Sequence, residues 1–208
     1  GYSQVLLNSR PIFSGLMAVY GLEMIPSNMI ERVEVVRGGG SALYGGNAIG
    51  GTVNIITKEP HATGFNWHSQ VQNIAGEAWE QSHSLGISLA SDDQKTGWQA
   101  FAFNRNREAW DANNDGFTEI TSLENLSLGA SAFWKTNSRS KLSFDLYSIQ
   151  EFRRGGSDLD LLPHQSRIAE QLEHQVHNLG LAWEALSEDG KHFYSIYSSL
   201  LSTNRDSY

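Results

Sequence analysis

The chain has 208 residues, 39% of them hydrophobic and 11% aromatic, with 20 glycines, no cysteine and a formal net charge of -8. That length suffices for one sizeable core. The acidic balance gives no general attraction to nucleic acid or to an anionic membrane surface, and the missing cysteines exclude disulfides and thiolate chemistry. No apolar run reaches the roughly 18 residues of a membrane helix, a test that leaves spanning β-strands untouched.

In chain order, residues 1–60 read as a mixed α/β, loop-rich unit. Gly1-Tyr2-Ser3-Gln4 enters directly into a structured-looking run rather than a leader. Val5-Leu6-Leu7 reads as a short strand and Arg10-Pro11-Ile12-Phe13 as its exit into a loop. A brief helix is expected over 20–25, stopped before Pro26. Val33 and Val35 alternate with Glu34 and Val36 in a strand that ends at Gly38-Gly39-Gly40. Ser41 to Tyr44 reads as a small turn or helix, and Val53 to Thr57 as the next strand.

From about Gly64 the pattern turns to long strands and polar turns. Strands are expected near 64–74, 81–91, 97–107, 122–135, 139–152, 172–187 and 191–205. Leu126, Leu128, Ala130, Ala132 and Trp134 share one face, opposite Ser127, Gly129 and Ser131. Leu142, Phe144 and Leu146 repeat the scheme, as do Leu179, Leu181, Trp183 and Ala185. Such a face covers a core in a soluble sandwich and meets lipid in a membrane barrel. Short connections (91–96, 135–138, 187–190) alternate with long ones (108–121, 153–171), as expected at the two rims of an outer-membrane barrel. Several strands are longer than those of globular sheets. Seven strands do not close a barrel of even strand number, so the barrel reading makes the chain a portion of a longer protein.

The glycines at 38–40 permit positive φ and close backbone approach, either as tight turns or as an anion-binding nest. The stretch lacks the spacing of a phosphate-binding P-loop. No paired acid/base motif or geometric triad is recognisable, so an enzyme is not expected.

The order Ile25-Pro26 through Arg37-Gly38, Ala42-Leu43-Tyr44-Gly45, then Ala48-Ile49-Gly50-Gly51 through Ile55-Ile56-Thr57 closely resembles the end of the plug domain of TonB-dependent outer-membrane receptors. Leu7-Asn8-Ser9-Arg10-Pro11 stands where such plugs usually carry an Ile-Asp-Gly-Arg-Pro-like turn. The resemblance implies that residues 1–60 are the C-terminal part of a plug and 61–208 the first roughly seven strands of an incomplete, large transmembrane β-barrel. It further implies a bacterial outer-membrane location with lipid contact, substrate binding above the plug, and energy delivered by the TonB system through a segment absent from this chain. A surface lipoprotein is a further partner of this kind of receptor. Arg32, Glu34 and Arg37 are either plug–barrel ion-pair residues, as the family suggests, or a solvated strand face.

Cobalamin is the favoured cargo, ahead of haem and ferric siderophores; the different-class alternative is a non-transporting adhesion or binding domain. Phe13 and Tyr20, among Ser14, Leu16, Met17 and Val19, are the expected substrate-contacting apex, since aromatic and methionine side chains suit a large, partly apolar ligand. Asp111, Asn113, Asp115 and Glu119 place oxygens at positions 1, 3, 5 and 9 of an EF-hand-like loop with Gly116 at 6, a spacing suited to Ca²⁺. Ser122 stands where a full loop has its bidentate glutamate, so an Asx-rich solvated loop is the competing reading. His164, His174 and His177 raise a haem or transition-metal reading, weakened because 174 and 177 fall on opposite faces of one strand.

Overall fold

The computed structural model describes residues 3–11, 29–39 and 48–208. The chain divides into two compact units, Gly1–His61 and Ala62–Tyr208. The described residues contain no α-helix. The brief helix expected over 20–25 and the small turn or helix over 41–44 lie outside the described residues, so the α part of the mixed α/β expectation is not seen among the described ones.

The first unit holds a four-stranded sheet in the order β2-β1-β4-β3, formed by β1 (Ser3–Leu7), β2 (Arg10–Pro11), β3 (Ile30–Arg37) and β4 (Gly51–Thr57). β1 runs parallel to β4, which pairs antiparallel with β3. Arg10-Pro11, expected as a loop, instead folds back as β2 against Leu6 and Leu7. The reason lies in the turn. Asn8 and Ser9 both take left-handed φ, 50° and 64°, the conformation a two-residue hairpin of primed type requires, and asparagine tolerates it better than most residues. The turn is also sewn to β4. Asn8 Nδ2 donates to Thr57 Oγ1 at 2.9 Å, its Oδ1 accepts from the Thr57 amide at 3.0 Å, and Asn54 Oδ1 accepts from the Ser9 amide at 2.8 Å. Leu6, Leu7 and Ile55 are buried beside it.

The second unit is a seven-stranded antiparallel meander in unbroken order: β5 (Gly64–Ile74), β6 (Ala78–Ala90), β7 (Thr96–Arg107), β8 (Ser122–Asn137), β9 (Ser140–Gly156), β10 (Ala169–Leu186) and β11 (Phe193–Ser207). The sheet is not closed; β5 and β11 are its two edges. β9 and β10 run further than expected, to Gly156 and from Ala169, because their ladder continues through Arg154↔Gln171 and Gly155↔Glu170 to Gly156↔Ala169. Arg153 and Arg154 are therefore strand residues, not loop residues.

The two faces of this sheet are inverted relative to a water-soluble protein. Asn125, Ser127, Asp145, Glu151, His174 and Asn178 are buried, while Leu126, Leu128, Trp134, Leu142, Leu146 and Leu181 on the opposite face are exposed, Leu181 by 52% and Trp134 by 55%. The alternation follows directly from the two-residue period of a strand. It places the charge-bearing side chains, together with buried Leu123, Phe133, Tyr147, Ile149, Leu172 and Val176, on one side and exposed aliphatic and aromatic side chains on the other.

Two of the short turns are copies of one device. Ser91-Asp92-Asp93-Gln94-Lys95 and Ser187-Glu188-Asp189-Gly190-Lys191 each carry at the third position an aspartate that accepts from the serine hydroxyl and from the lysine amide. The fourth residue of each, Gln94 and Gly190, takes positive φ. The Ser91 hydroxyl, then the Lys95 amide, hold the Asp93 carboxyl down to about 2 from its ordinary 3.8. A depressed carboxyl stabilises the fold fully above its unfolded value and loses that contribution as pH falls through the folded one. Amide protection of Lys95 should therefore hold above about pH 4 and fade between about 4 and 2, and an Asp93→Asn turn should show no such step in hydrogen exchange.

Candidate functional site

The register of the meander lines up polar-face residues across all seven strands. One rung reads Gln70, Ser82, Arg105, Asn125, Glu151, His174, Arg205, each the direct cross-strand partner of the next. The neighbouring rung, two residues along each strand, reads Gln72, Glu80, Arg107, Leu123, Arg153, Leu172, Ser207. Cross-strand neighbours at this spacing interact, and here they form a lattice. Arg105 Nε donates to Glu80 Oε1 at 2.7 Å, and Arg107 Nη1 stands 3.9 Å from the same carboxylate. Arg153 Nε donates to Glu151 Oε1 at 2.6 Å, and Asn125 Nδ2 to Glu151 Oε2 at 3.1 Å. Asn125 Oδ1 in turn accepts from Ser127 Oγ at 3.0 Å. The Glu151 side chain is only 2% exposed, so its charge is tolerated only because both oxygens are engaged.

Away from this lattice the polar face changes character. Phe101, Gly129 and Tyr147 occupy one rung, where the two rings lean over the glycine with centroids 6.0 Å apart. A Cβ on Gly129 would lie 2.0 Å from Phe101 Cε1, so the missing side chain is what lets the rings meet.

The long connections 108–121 and 157–168 lie beyond the rung end and are joined to each other. Phe117 bridges Ser157, the Thr118 amide donates to the Gly156 carbonyl at 3.1 Å, and the Gly156 amide donates to Thr118 Oγ1 at 3.0 Å. Arg154 closes the second connection by donating to the Gly155 and Leu161 carbonyls and to Ser166 Oγ, and Arg167 pairs with Asp158 at 3.2 Å. Ser157 and the Arg167 amide and guanidinium hold the Asp158 carboxyl below the usual aspartate range. Leu161, Leu162 and Ile168 remain exposed at the tip.

The structure folds the Asp111–Glu119 segment through its own amides. Asp111 Oδ2 accepts from the Gly116 amide at 2.8 Å, Asn113 Oδ1 from Asp115 at 3.0 Å, Asp115 Oδ1 from Phe117 at 2.8 Å and Glu119 Oε2 from Ala112 at 2.6 Å. Gly116 has φ +84°, as the tight turn demands. Among the described residues no group of three or more His, Asp or Glu side chains is gathered as a metal would require. His174 is buried on the polar face and His177 faces the other way, each paired through its strand. Arg32 pairs with Glu34 and Glu31 at 2.9 Å on a largely exposed strand. Phe13 and Tyr20 lie outside the described residues.

Residues 1–52 match the family model of the TonB-dependent receptor plug domain. The chain is 30% identical over 139 residues to the vitamin B12 transporter BtuB of Photobacterium profundum, an alignment covering 63% of this chain and 22% of that protein. It is 37% identical over 68 residues to the ferric enterobactin receptor of Pseudomonas aeruginosa, covering 28% of this chain and 9% of that one. Its fold superposes with a TM-score of 0.75 on the siderophore receptor PirA from Acinetobacter baumannii, covering 98% of this chain and 32% of the receptor at 17% identity. Residues 1–52 are thus similar to the plug domain of TonB-dependent receptors, and the chain as a whole is similar in fold to a solved siderophore receptor. These relatives are a transporter and receptors, not enzymes. The chain spans about a fifth or less of the length of the two curated relatives.

Proposed function

We propose that this chain belongs to a bacterial outer-membrane receptor for energised uptake of a metal-organic nutrient, residues 1–60 being the C-terminal part of its plug and residues 61–208 the first seven strands of its transmembrane wall. The observation that carries the reading is the inverted sheet. A face of leucine, phenylalanine and tryptophan exposed beside buried Asn125, Glu151 and Asn178 suits lipid outside and a polar lumen inside. Its height fits as well. Leu126 to Trp134 covers about 27 Å of strand at ~3.4 Å per residue, or roughly 20 Å along the normal of a barrel tilted by about 40°, close to the ~25 Å apolar band of outer-membrane barrels. The joined long connections then face the outside and the serine–aspartate turns the periplasm.

In this reading the cargo binds over the plug, contacts Phe13 and Tyr20, and is released when the TonB system displaces the plug. Binding and release need a difference in contacts between the two states and no covalent step. Cobalamin is the first cargo to test, on the BtuB similarity. A ferric siderophore is the second, on the similarity to the ferric enterobactin receptor. Calorimetric titration of the intact receptor in detergent with cobalamin, haem and a ferric siderophore decides among them. Saturable binding of one supports the receptor and names its cargo; binding of none contradicts the receptor.

Asp111, Asn113, Asp115 and Glu119 are proposed Ca²⁺ ligands in the outward loop. The turn already supplies oxygens at alternate positions around Gly116, and an ionised carboxylate keeps acceptor capacity beyond one amide, but Glu119 must leave the Ala112 amide to join. Rearrangement of this kind sets a modest affinity, a Kd on the order of 10⁻⁴–10⁻³ M as in extracellular calcium modules. Titration should show one such site, lost in D111N/D115N. Heat of binding that is absent, or that survives those substitutions, removes calcium from the account.

A further inference from the structure

We infer that His174 and Arg205 form an anion-binding pair on the polar face of the seven-stranded sheet, taking an acidic oxygen of the cargo: a carboxylate, a catecholate or a phosphodiester. The inference rests on the receptor reading and adds the charge of the group that the wall recognises.

The two rungs carry four guanidinium groups, Arg105, Arg107, Arg153 and Arg205, against two carboxylates, Glu80 and Glu151. Glu80 serves Arg105 and Arg107. Glu151 serves Arg153 and Asn125. No carboxylate of either rung is left for Arg205. Its direct neighbour across the ladder is His174, whose other cross-strand neighbour is the already engaged Glu151. His174 is 1% exposed. Among the described residues neither its Nδ1 nor its Nε2 has a hydrogen-bond partner, and the buried Nε of Arg205 has none either.

Buried donors are nearly always satisfied, and unmet ones call for an explanation. A neutral imidazole carries one N–H and Arg205 adds its Nε–H, so an oxygen anion placed between the two adjacent side chains, one of them permanently cationic, accepts from both. Arginine suits planar acidic groups because its donors form a rigid fork, and such charge-assisted bonds are the strong ones. Arg153, diagonal to His174 across the ladder, adds positive potential, while its bond to Glu151 offsets the nearest negative charge.

The test uses the intact receptor in detergent and the variants Arg205→Gln, Arg205→Lys and His174→Gln. Tryptophan quenching measures affinity for an iron tris-catecholate, for cobalamin, whose one acidic group is a phosphodiester, and for an uncharged iron hydroxamate. In parallel, the thermal midpoint is followed against inorganic phosphate at constant ionic strength. Arg205→Gln should weaken the acidic cargo at least tenfold, leave any hydroxamate binding within twofold, and abolish the rise in midpoint that phosphate gives the parent protein. Arg205→Lys should recover part of each effect. Whichever of catecholate or cobalamin loses affinity identifies the acidic group. If Arg205→Gln binds acidic cargo and phosphate as the parent does but unfolds more readily, its partner is a carboxylate on a strand joining β11, and the inference is overturned. If the parent binds no cargo yet phosphate protects it only through Arg205, the receptor reading fails and the anion pair stands.

Discussion

Glu151→Ala should destabilise the folded wall by about 3–5 kcal/mol, the usual consequence of stripping one partner from a buried ion pair. The carboxylate is the only acid on its rung and holds Arg153 at 2.6 Å and Asn125 at 3.1 Å. Removing it leaves a guanidinium only 13% exposed facing a buried amide that has lost its acceptor. The loss should propagate, because Asn125 also fixes Ser127. Glu151→Gln keeps an acceptor and should lose roughly half as much, since a hydrogen bond to a charged group is worth about twice a neutral one. Urea unfolding of the intact receptor in lipid vesicles, followed by tryptophan fluorescence, measures both. A loss below about 1 kcal/mol for the alanine variant would mean that Arg153 is held by something other than Glu151, and that the rung lattice is not a structural unit.

Gly129→Ala should cost about 1–3 kcal/mol through overpacking. The added methyl would fall 2.0 Å from Phe101 Cε1, 2.4 Å from its Cζ and 2.8 Å from Tyr147 Cδ1, so both rings must leave their places. Gly39→Ala is the matched control, since nothing lies within 4 Å of its Cβ position, and it should change stability by less than about 0.5 kcal/mol. Trimming the ring in Gly129→Ala/Phe101→Leu should return part of the loss, a coupling that a double-mutant cycle reads directly. Additive losses from the two substitutions would show that ring and glycine do not share one space.

These residues mark where sequence reading works and where it stops. The alternation of Leu126, Leu128 and Trp134 with Ser127 and Ser131 is visible in the chain and is the alternation the folded sheet has. So are the opposite faces of His174 and His177. What the chain does not display is register. Nothing in the linear order says that Glu151 lies between Asn125 and His174, or that Arg205 comes next; those neighbours exist only once the strands are paired. Local composition also misled. Arg153-Arg154-Gly155-Gly156 reads as a polar, glycine-rich loop, yet pairing with 169–172 keeps it in β9, and Gly156 is wanted at φ +100°, where a Cβ would lie 2.2 Å from the Ile168 carbonyl oxygen. Arg10-Pro11 was obscured for a similar reason, since Asn8-Ser9 lacks the glycine of an obvious hairpin turn. The repeated serine–aspartate–lysine turn was within reach of the sequence, in Ser91-Asp92-Asp93 and Ser187-Glu188-Asp189, but its meaning depends on hydroxyl and amide partners that only the turn brings together.

The seven-stranded sheet as a membrane wall with its long connections outside is the claim on which the rest depends, and single-cysteine labelling in whole cells tests it most directly. Residues 1–208 contain no cysteine, so Leu162→Cys, Ser138→Cys and Leu128→Cys each introduce the sole thiol of this stretch, read against the unsubstituted receptor as background. With a membrane-impermeant maleimide, Leu162→Cys should label in intact cells, Ser138→Cys only after the outer membrane is opened, and Leu128→Cys in neither case. Equal labelling of Ser138→Cys and Leu162→Cys in intact cells, together with ready aqueous labelling of Leu128→Cys, would contradict the account.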